Sequence, residues 1–152
     1  MKRPILLAIA LAACHHEPAK PGEVVTFQTV CTAKYAEIDG AADGPVYKRV
    51  TLEGYIGAPS MMVCSDDSCS VDLYPTAAAQ GKSVGAYLKV GNGANEMSKL
   101  PEKFEPSDVK LHTIDGKVLG VGAKVRVTGE RMGSAGDPTV CAINDIDLVE
   151  TP

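Results

Sequence analysis

The cysteines are the side chains of this chain with the widest choice of chemistry. There are five, at positions 14, 31, 64, 69 and 141 of a 152-residue sequence. A thiol can form a disulfide, bind a soft metal ion or carry a covalent lipid, and its surroundings decide between these fates. Three histidines and two adjacent methionines add potential metal ligands: His15, His16, His112, Met61 and Met62. The elements that surround each cysteine therefore determine what the chain can do.

Cys14 stands at the end of a leader-like segment. Lys2 and Arg3 precede an apolar run from Pro4 to Ala13. A positive start, an apolar middle and small residues before a cleavage point are typical of a secretory signal. The run is about half of the roughly 20 residues that a membrane-spanning helix needs, so it predicts a leader and not a spanning segment.

The segment Leu11-Ala12-Ala13-Cys14 resembles the lipobox of bacterial lipoproteins. The resemblance implies a signal peptide over residues 1–13, cleavage before Cys14, and attachment of lipid (palmitate) to that cysteine. Several acyl chains, at about 0.8 kcal/mol per buried methylene, would hold the protein at a membrane. His15 follows Cys14 where an aspartate would retain the protein at the inner membrane, which implies the outer membrane, facing the periplasm. The alternative is an ordinary secretory signal with an incidental cysteine.

Residues 14–23 are predicted to be a lipidated N-terminus and flexible tether. They include two prolines and almost no apolar side chain, and would reach on the order of 25 Å. His15 and His16 are interpreted as part of this solvated tether and not as a metal site. The remaining residues, 24–150, have the length of one ordinary domain.

The charge balance argues against nucleic acid as a partner. The chain carries 15 Lys and Arg against 19 Asp and Glu, and removal of the leader would take away two of the basic residues. Lys and Arg provide most of the affinity for a phosphate backbone. With no Trp, two Phe and five Tyr, a platform for stacking bases or sugars would be thin.

Once Cys14 is assigned to lipid, four cysteines remain for the domain. An even number in an oxidising compartment predicts disulfides, and four cysteines allow three pairings. Cys64 and Cys69 lie between two strand-like runs, so we expect them to face each other across a tight hairpin. Cys31 would then pair with Cys141 and tie the start of the domain to its last strand.

A metal site that uses the same thiols is the rival interpretation. Four thiolates suit zinc, but the spacing lacks the paired C-x-x-C knuckles of structural zinc sites. Asp66 and Asp67 at the hairpin tip are too few for the 6–8 oxygen ligands of calcium, and Asp is common in turns. We therefore expect no metal cofactor in these thiols.

Alternating apolar and polar residues predict an all-β domain. The clearest strand begins at Tyr47 and runs through Val50–Ile56, and a second runs through Gly122–Gly129 with Val125 and Val127 inward. Further strands are predicted over 24–31, 61–64, 69–74, 84–90, 109–113 and 139–149. A turn is predicted at 115–116, a bulge near 144–145 and a loop over 37–45. Residues 94–100 can make two helical turns before Pro101.

This order of three strands, a short helix and further strands resembles the oligonucleotide/oligosaccharide-binding fold, the OB-fold. Val50–Ile56 and Gly122–Gly129 carry the resemblance as first and fifth strands. It implies a small barrel of five to six strands with one short helix between strands 3 and 4. It also implies a binding face on the second and third strands, which on this chain comprises Tyr87 and Lys89 with Tyr55 and Tyr74. Another small β-sandwich or barrel is the alternative.

Residues arranged for catalysis are hard to find in the sequence. His112, the one histidine outside the tether, is predicted on the strand face opposite Leu111, as a surface histidine and not a base. Motifs for a serine nucleophile, a phosphate loop or a zinc hydrolase do not occur. We therefore expect a non-catalytic, monomeric envelope lipoprotein whose barrel binds a partner protein or small ligand.

The alternative function is metal handling in the periplasm. Met61, Met62, Cys64, Cys69 and His112 offer soft ligands for Cu(I) or zinc if the thiols are reduced. The two hypotheses differ in the state of the cysteines, because oxidation to disulfides removes the best of these ligands.

Overall fold

The computed structural model describes residues 21–35, 46–57, 64–133 and 141–152. Several predicted features lie outside the described residues: the predicted signal peptide, Cys14, the predicted tether up to residue 20, the predicted loop at 37–45, and Met61 and Met62. Within those ranges there are nine strands: β1 (Glu23–Val24), β2 (Lys48–Ile56), β3 (Ser68–Tyr74), β4 (Val84–Val90), β5 (Glu96–Met97), β6 (Leu111–His112), β7 (Val118–Leu119), β8 (Lys124–Met132) and β9 (Ala142–Glu150). The same ranges contain two short 3-10 helices, Ala33–Tyr35 and Pro106–Asp108, and neither is long enough to cross a membrane.

The five longest strands close a barrel. β2 pairs antiparallel with β3 and β8, β3 pairs with β4, and β8 pairs with β9. β4 and β9 then close the ring as a parallel pair. Around the barrel the order is therefore β2, β8, β9, β4, β3 and back to β2. This five-stranded Greek-key closure confirms the all-β, OB-fold-like barrel predicted from the sequence.

The alternation of apolar and polar residues predicted for the strands places apolar side chains in the interior of the barrel. Val50 and Leu52 of β2 and Val125 and Val127 of β8 are fully buried, while Glu53 on β2 is exposed. Side chains of a strand point alternately to its two faces, so each apolar set faces inward and each polar set faces solvent. Further inward residues come from the end of β2 and from the other barrel strands: Ile56, Val71, Leu73, Val84, Ala86, Leu88, Ile143 and Leu148.

Short strands β5, β6 and β7 extend the sheet from β4. β5 runs parallel to β4, and β6 pairs antiparallel with β5 and β7. The predicted turn at Asp115-Gly116 joins β6 to β7, with Gly116 at φ 81°. Glycine adopts this left-handed conformation without steric cost.

The prediction of helical turns over residues 94–100 is wrong. The segment contains β5, in which Met97 is fully buried and pairs with Leu111. Asn95 has φ 63°, and the Glu96 carboxylate accepts a hydrogen bond from Gly93 N at 2.7 Å, so local polar bonds replace a helical start. The helical turn of this connection lies further along the chain, at Pro106–Asp108.

The predicted strand over 24–31 is also mostly wrong, since only Glu23–Val24 pairs as a strand. Thr29 Oγ1 accepts from Thr26 N at 3.1 Å, and Thr32 Oγ1 donates to Thr29 O at 2.7 Å. Threonine hydroxyls that bond to nearby backbone compete with strand pairing. The threonines that suggested a strand therefore fold this segment into successive turns.

The turned segment nevertheless completes the barrel wall. Ladder pairs between β2 and β3 are confined to the end of β2, at Tyr55 and Ile56. β1 pairs with the earlier part of β2, and Val25 N donates to Thr51 O at 2.9 Å. The ring of Phe27 covers Gly54, where a Cβ atom would lie 2.8 Å from it. The N-terminal segment, residues 21–35, thus covers the part of β2 that β3 leaves uncovered.

Both predicted disulfides are present. Cys31 and Cys141 are joined with their Cα atoms 5.6 Å apart, and Cys64 and Cys69 with theirs 4.1 Å apart. Cys64 and Cys69 also form a β-bridge, as expected for opposite positions of a hairpin. Because all four thiols are oxidised, none is available as the thiolate ligand on which the metal interpretation depends.

A buried arginine supports the attachment of the N-terminal segment. Arg131 of β8 is 1% exposed, and its Nε donates to Val30 O at 3.2 Å. Its Nη1 donates to Gly133 O. Burial lowers the pKa of Arg131 from its ordinary value, because the low-dielectric interior disfavours the charged form. Arginine remains charged in proteins, so these carbonyl contacts hold a cation beneath the N-terminal segment.

Candidate binding cleft

A cleft opens where strands β4 and β9 separate. The two strands pair only at Gly85 with Ala142 and at Ala86 with Ile143. Beyond these pairs, a cavity of about 400 Å³ lies between them. Its lining comes from the end of β4, the segment that leads into β5, and the bulge of β9, and includes Tyr87, Lys89, Asn95, Glu96, Asp145 and Asp147.

The predicted bulge in β9 shapes one wall of this cleft. The ladder between β8 and β9 shifts register between Thr128 and Glu130, so that Gly129 faces an extra residue of β9. A Cβ atom at Gly129 would lie 2.4 Å from Asn144 O, so glycine leaves room for the bulged backbone. Asp145 has φ 48°, a left-handed conformation that Asp tolerates better than most residues. The bulge turns the strand and re-aims its side chains, which is a common role of bulges beside binding sites.

The base of the cleft is a fixed polar network. Asp147 accepts from Arg49 Nη2 at 2.5 Å and from Asn95 Nδ2 at 3.1 Å. Asn95 Oδ1 accepts from Leu148 N at 2.8 Å, which ties the β5 segment to β9. The side chains of Arg49 and Asp147 are each 18% exposed. A charge-assisted pair in this half-buried position positions the wall more firmly than an exposed pair would.

The rim of the cleft is open to solvent. Tyr87 is 42% exposed and Lys89 is also exposed, both on the outward face of β4. The Asp145 side chain is 78% exposed, with its Oδ2 3.6 Å from Arg49 Nη1. The rim thus presents an aromatic face, an ammonium group and a carboxylate within one concavity, and such groups orient a polar ligand or a partner side chain.

The four residues of the sequence-derived binding face fall into two pairs. Tyr87 and Lys89 line the cleft, whereas Tyr55 and Tyr74 form a cross-strand pair near the other end of β3. The Tyr74 ring lies against Gly57, where a Cβ atom would be 2.3 Å from it. The structure therefore brings together half of the predicted face.

Sequence reasoning missed the polar base of the cleft, Arg49, Asn95 and Asp147. The sequence alone predicts no role for Asp147, and it predicts helical turns for the segment that contains Asn95. The bulge predicted near residues 144–145 was the feature of the sequence that could have indicated a cleft. A bulge bends the last strand, β9, away from β4, the strand parallel to it.

His112 is half-buried and contacts Ser98, with Nε2 2.8 Å from Ser98 Oγ. Ser98 Oγ donates its proton to Asn92 Oδ1 at 2.9 Å. These two bonds hold β6 to the residues on either side of β5.

A second concavity lies on the outward face of β2 and β8. This groove has a volume of about 550 Å³. Its apolar wall comes from Val24, Phe27 and Pro75. Its floor is polar: Arg126 Nη2 lies 2.7 Å from Glu53 Oε1, and the hydroxyls of Thr51 and Thr128 are 2.9 Å apart. In the barrel ring, β4 lies across from the contact of β2 with β8, so Tyr87 and Lys89 lie across the barrel from the groove, whereas Asp147 of the cleft pairs with Thr128 of the groove floor.

Within the described ranges, no group of three or more His, Cys, Asp or Glu side chains is arranged to hold a metal ion. No protein-family model, curated protein or solved structure matches this chain.

Proposed function

We propose that this chain is a membrane-anchored envelope lipoprotein whose OB-like barrel binds a partner protein or small ligand without catalysing a reaction. The observation that carries the binding role is the cleft between β4 and β9. It is concave, its base is fixed by the bond between Arg49 and Asp147, and its rim offers Tyr87 and Lys89 to solvent. A rigid base with an accessible mixed rim is the usual arrangement of a recognition site.

The chemistry of the cleft favours binding over catalysis. Asp147 is already neutralised by Arg49 and hydrogen-bonded by Asn95, so its charge and lone pairs serve to position the wall. A general base needs an accessible group with a pKa suited to proton transfer, and a nucleophile needs a base beside it. The cleft instead combines a ring, an ammonium group and carboxylates, which orient a bound group.

The proposed address rests on the lipobox-like segment ending at Cys14 and is supported by the two disulfides. Disulfides persist in oxidising compartments such as the bacterial periplasm. An exported chain would also meet the partners of the envelope, which fits a binding module more readily than a cytoplasmic role would.

The anchor is tested by expressing the full chain in a double-membrane bacterium with an alkyne analogue of palmitate. We expect the label on the wild-type protein and its recovery in the outer-membrane fraction. A Cys14→Ser variant should lose both the label and the membrane association. An unlabelled wild-type chain, or equal labelling of the variant, would show that the anchor is absent.

The cleft is tested with a photo-crosslinking amino acid at Tyr87, in living cells. We expect a discrete adduct that is lost when Lys89→Glu is added, because the substitution reverses the charge of the rim. The same crosslinker at Val118, an exposed residue of β7, is the matched control. Adducts of equal yield at both positions would argue against a specific site in the cleft.

A further inference from the structure

We propose that the groove beside Val24 and Phe27 rests on the lipid surface that anchors the protein, so that the cleft at Tyr87 faces away from the bilayer. This orientation rests on the proposed attachment of lipid at Cys14. It goes beyond the anchor itself, because an anchor at Cys14 does not by itself determine which face of the barrel meets the membrane.

The chain between the proposed anchor and the groove is short. Pro21 lines the groove, and only seven peptide steps separate it from Cys14. At roughly 3.3–3.6 Å per residue, even a fully extended connection spans at most about 25 Å. Among the cavities lined by described residues, the groove is thus the one whose lining begins closest along the chain to the proposed anchor.

One wall of the groove is apolar and partly exposed to solvent. Val24 is 81% exposed, more than any other large hydrophobic side chain in the described ranges, and Phe27 and Pro75 lie beside it. Phe27 is partly buried against the core, so Val24 and Pro75 are the exposed part of this apolar wall, and exposed apolar surface that is contiguous marks a contact site. Apolar side chains partition favourably into the boundary between headgroups and acyl chains. A lipid anchor that already holds the protein at the membrane adds to the binding free energy of this contact.

The surroundings of the groove and of the cleft differ in charge. Near the groove, Arg126 and Lys34 each pair with one carboxylate, Glu53 and Glu23 respectively. The cleft brings three carboxylates together with two cations, which leaves one carboxylate in excess: Glu96, Asp145 and Asp147 with Lys89 and Arg49. An anionic bilayer repels an acidic surface, so electrostatics and the apolar contact favour the same orientation.

The chain has no tryptophan, so a single introduced Trp reports one position without background. Val24→Trp and Phe27→Trp place the reporter in the groove, and Tyr87→Trp is the matched control across the barrel. Each lipidated full-length protein is reconstituted into vesicles of phosphatidylethanolamine and phosphatidylglycerol, with or without brominated acyl chains. We expect the groove reporters to shift to the blue and to be quenched severalfold more strongly than Tyr87→Trp.

Quenching that is equal at the two sides, or stronger at Tyr87→Trp, overturns the proposed orientation. Circular dichroism and the intact mass of each variant establish that the barrel and both disulfides are formed, and Phe27→Trp remains informative if Val24→Trp fails to fold. Flotation with the vesicles and the mass of the N-terminal peptide test the lipid anchor separately from the orientation of the barrel. Unmodified, non-floating protein removes the anchor and the orientation together, whereas floating protein with an unquenched groove removes the orientation alone.

Discussion

Two regions of this barrel carry a disulfide, and they depend on it to very different extents. Cys64 and Cys69 are five residues apart, in a hairpin already held by bonds between Ser65 and Ser68. Cys31 and Cys141 are 110 residues apart and join the N-terminal segment to the beginning of β9. The first disulfide reinforces a local turn, whereas the second attaches a segment that has few other bonds to the sheet.

The difference follows from the number of strand pairs that each region makes. The hairpin continues into β3, which pairs with β4 over six residues. β1 pairs with β2 at only two residues, and the turns that follow it bond mainly to themselves. A segment that contributes little to the sheet requires side-chain and covalent contacts to stay in place, and here Arg131 and Cys31 supply them.

The largest expected effect comes from removing the long-range disulfide with Cys31→Ser and Cys141→Ser together. Closing a loop of 110 residues corresponds to about 4.8 kcal/mol in the chain-entropy description. We expect a loss of that order in the free energy of unfolding, measured by guanidinium denaturation. A loss no larger than that of the hairpin disulfide would show that loop length does not govern the comparison.

The next effect is expected from Arg131→Met, which keeps the bulk of the side chain and removes its donors. Val30 O and Gly133 O would lose buried hydrogen bonds, so we expect a loss of about 2–3 kcal/mol in the free energy of unfolding. Arg126→Met, on the outward face of the same strand, is the control and should change stability by less than about 0.5 kcal/mol. Equal effects would contradict a structural role for the buried cation.

Removal of the hairpin disulfide, with Cys64→Ser and Cys69→Ser, should cost about 2 kcal/mol by the same chain-entropy relation. Because the ladder between β3 and β4 is untouched, hydrogen exchange should increase at the hairpin tip and remain slow in β3. Faster exchange throughout β3 and β4 would mean that the hairpin depends on its disulfide as strongly as the N-terminal segment does.

The smallest effect concerns the exposed ion pair of the N-terminal segment. Hydrogen bonds from Lys34 Nζ at 2.5 Å and Tyr35 OH at 2.8 Å hold the pKa of Glu23 below its ordinary value. A lowered pKa in the folded state adds stability above the unfolded pKa, and this contribution is lost as the pH falls through the folded pKa. Lys34→Met should move the pKa of Glu23 upward in an NMR titration of its carboxyl carbon, with only a slight change in Tm at neutral pH. An unchanged pKa would show that the pair does not persist in solution.

The barrel could be predicted from the sequence because its long strands obey a simple physical rule. Apolar and polar residues alternate strictly along β2 and β8, so one face of each strand must be buried. The hairpin around Cys64 predicts its disulfide with Cys69, and Cys31 and Cys141 are the pair that remains. The bulge near Asp145 was predictable for the same reason, since Ile143 and Ile146 have to face the same core although their spacing places them on opposite faces.

The short segments could not be predicted because local and distant interactions compete within them. Thr26 and Thr29 favour a strand by residue type but bond to their own turn. The sequence around Met97 is compatible with a helix. In the structure Met97 pairs with β4 on one side and with β6 on the other, and it is therefore part of a strand. The cleft combines such segments: Asn95 meets Asp147 only because a bulge and a two-residue strand converge there.

The covalent bond between Cys31 and Cys141 also determines how the molecule carries mechanical load. A pull between the N-terminal side and the C-terminus passes along the chain to Cys31, across the disulfide and out from Cys141 through β9. Strands β2, β3, β4 and β8 lie inside the covalent loop and outside this direct path. Force applied through the ends of the chain would therefore shear β9 from its neighbours and peel β1 from β2, while the residues between the two cysteines cannot be drawn out to their full contour length.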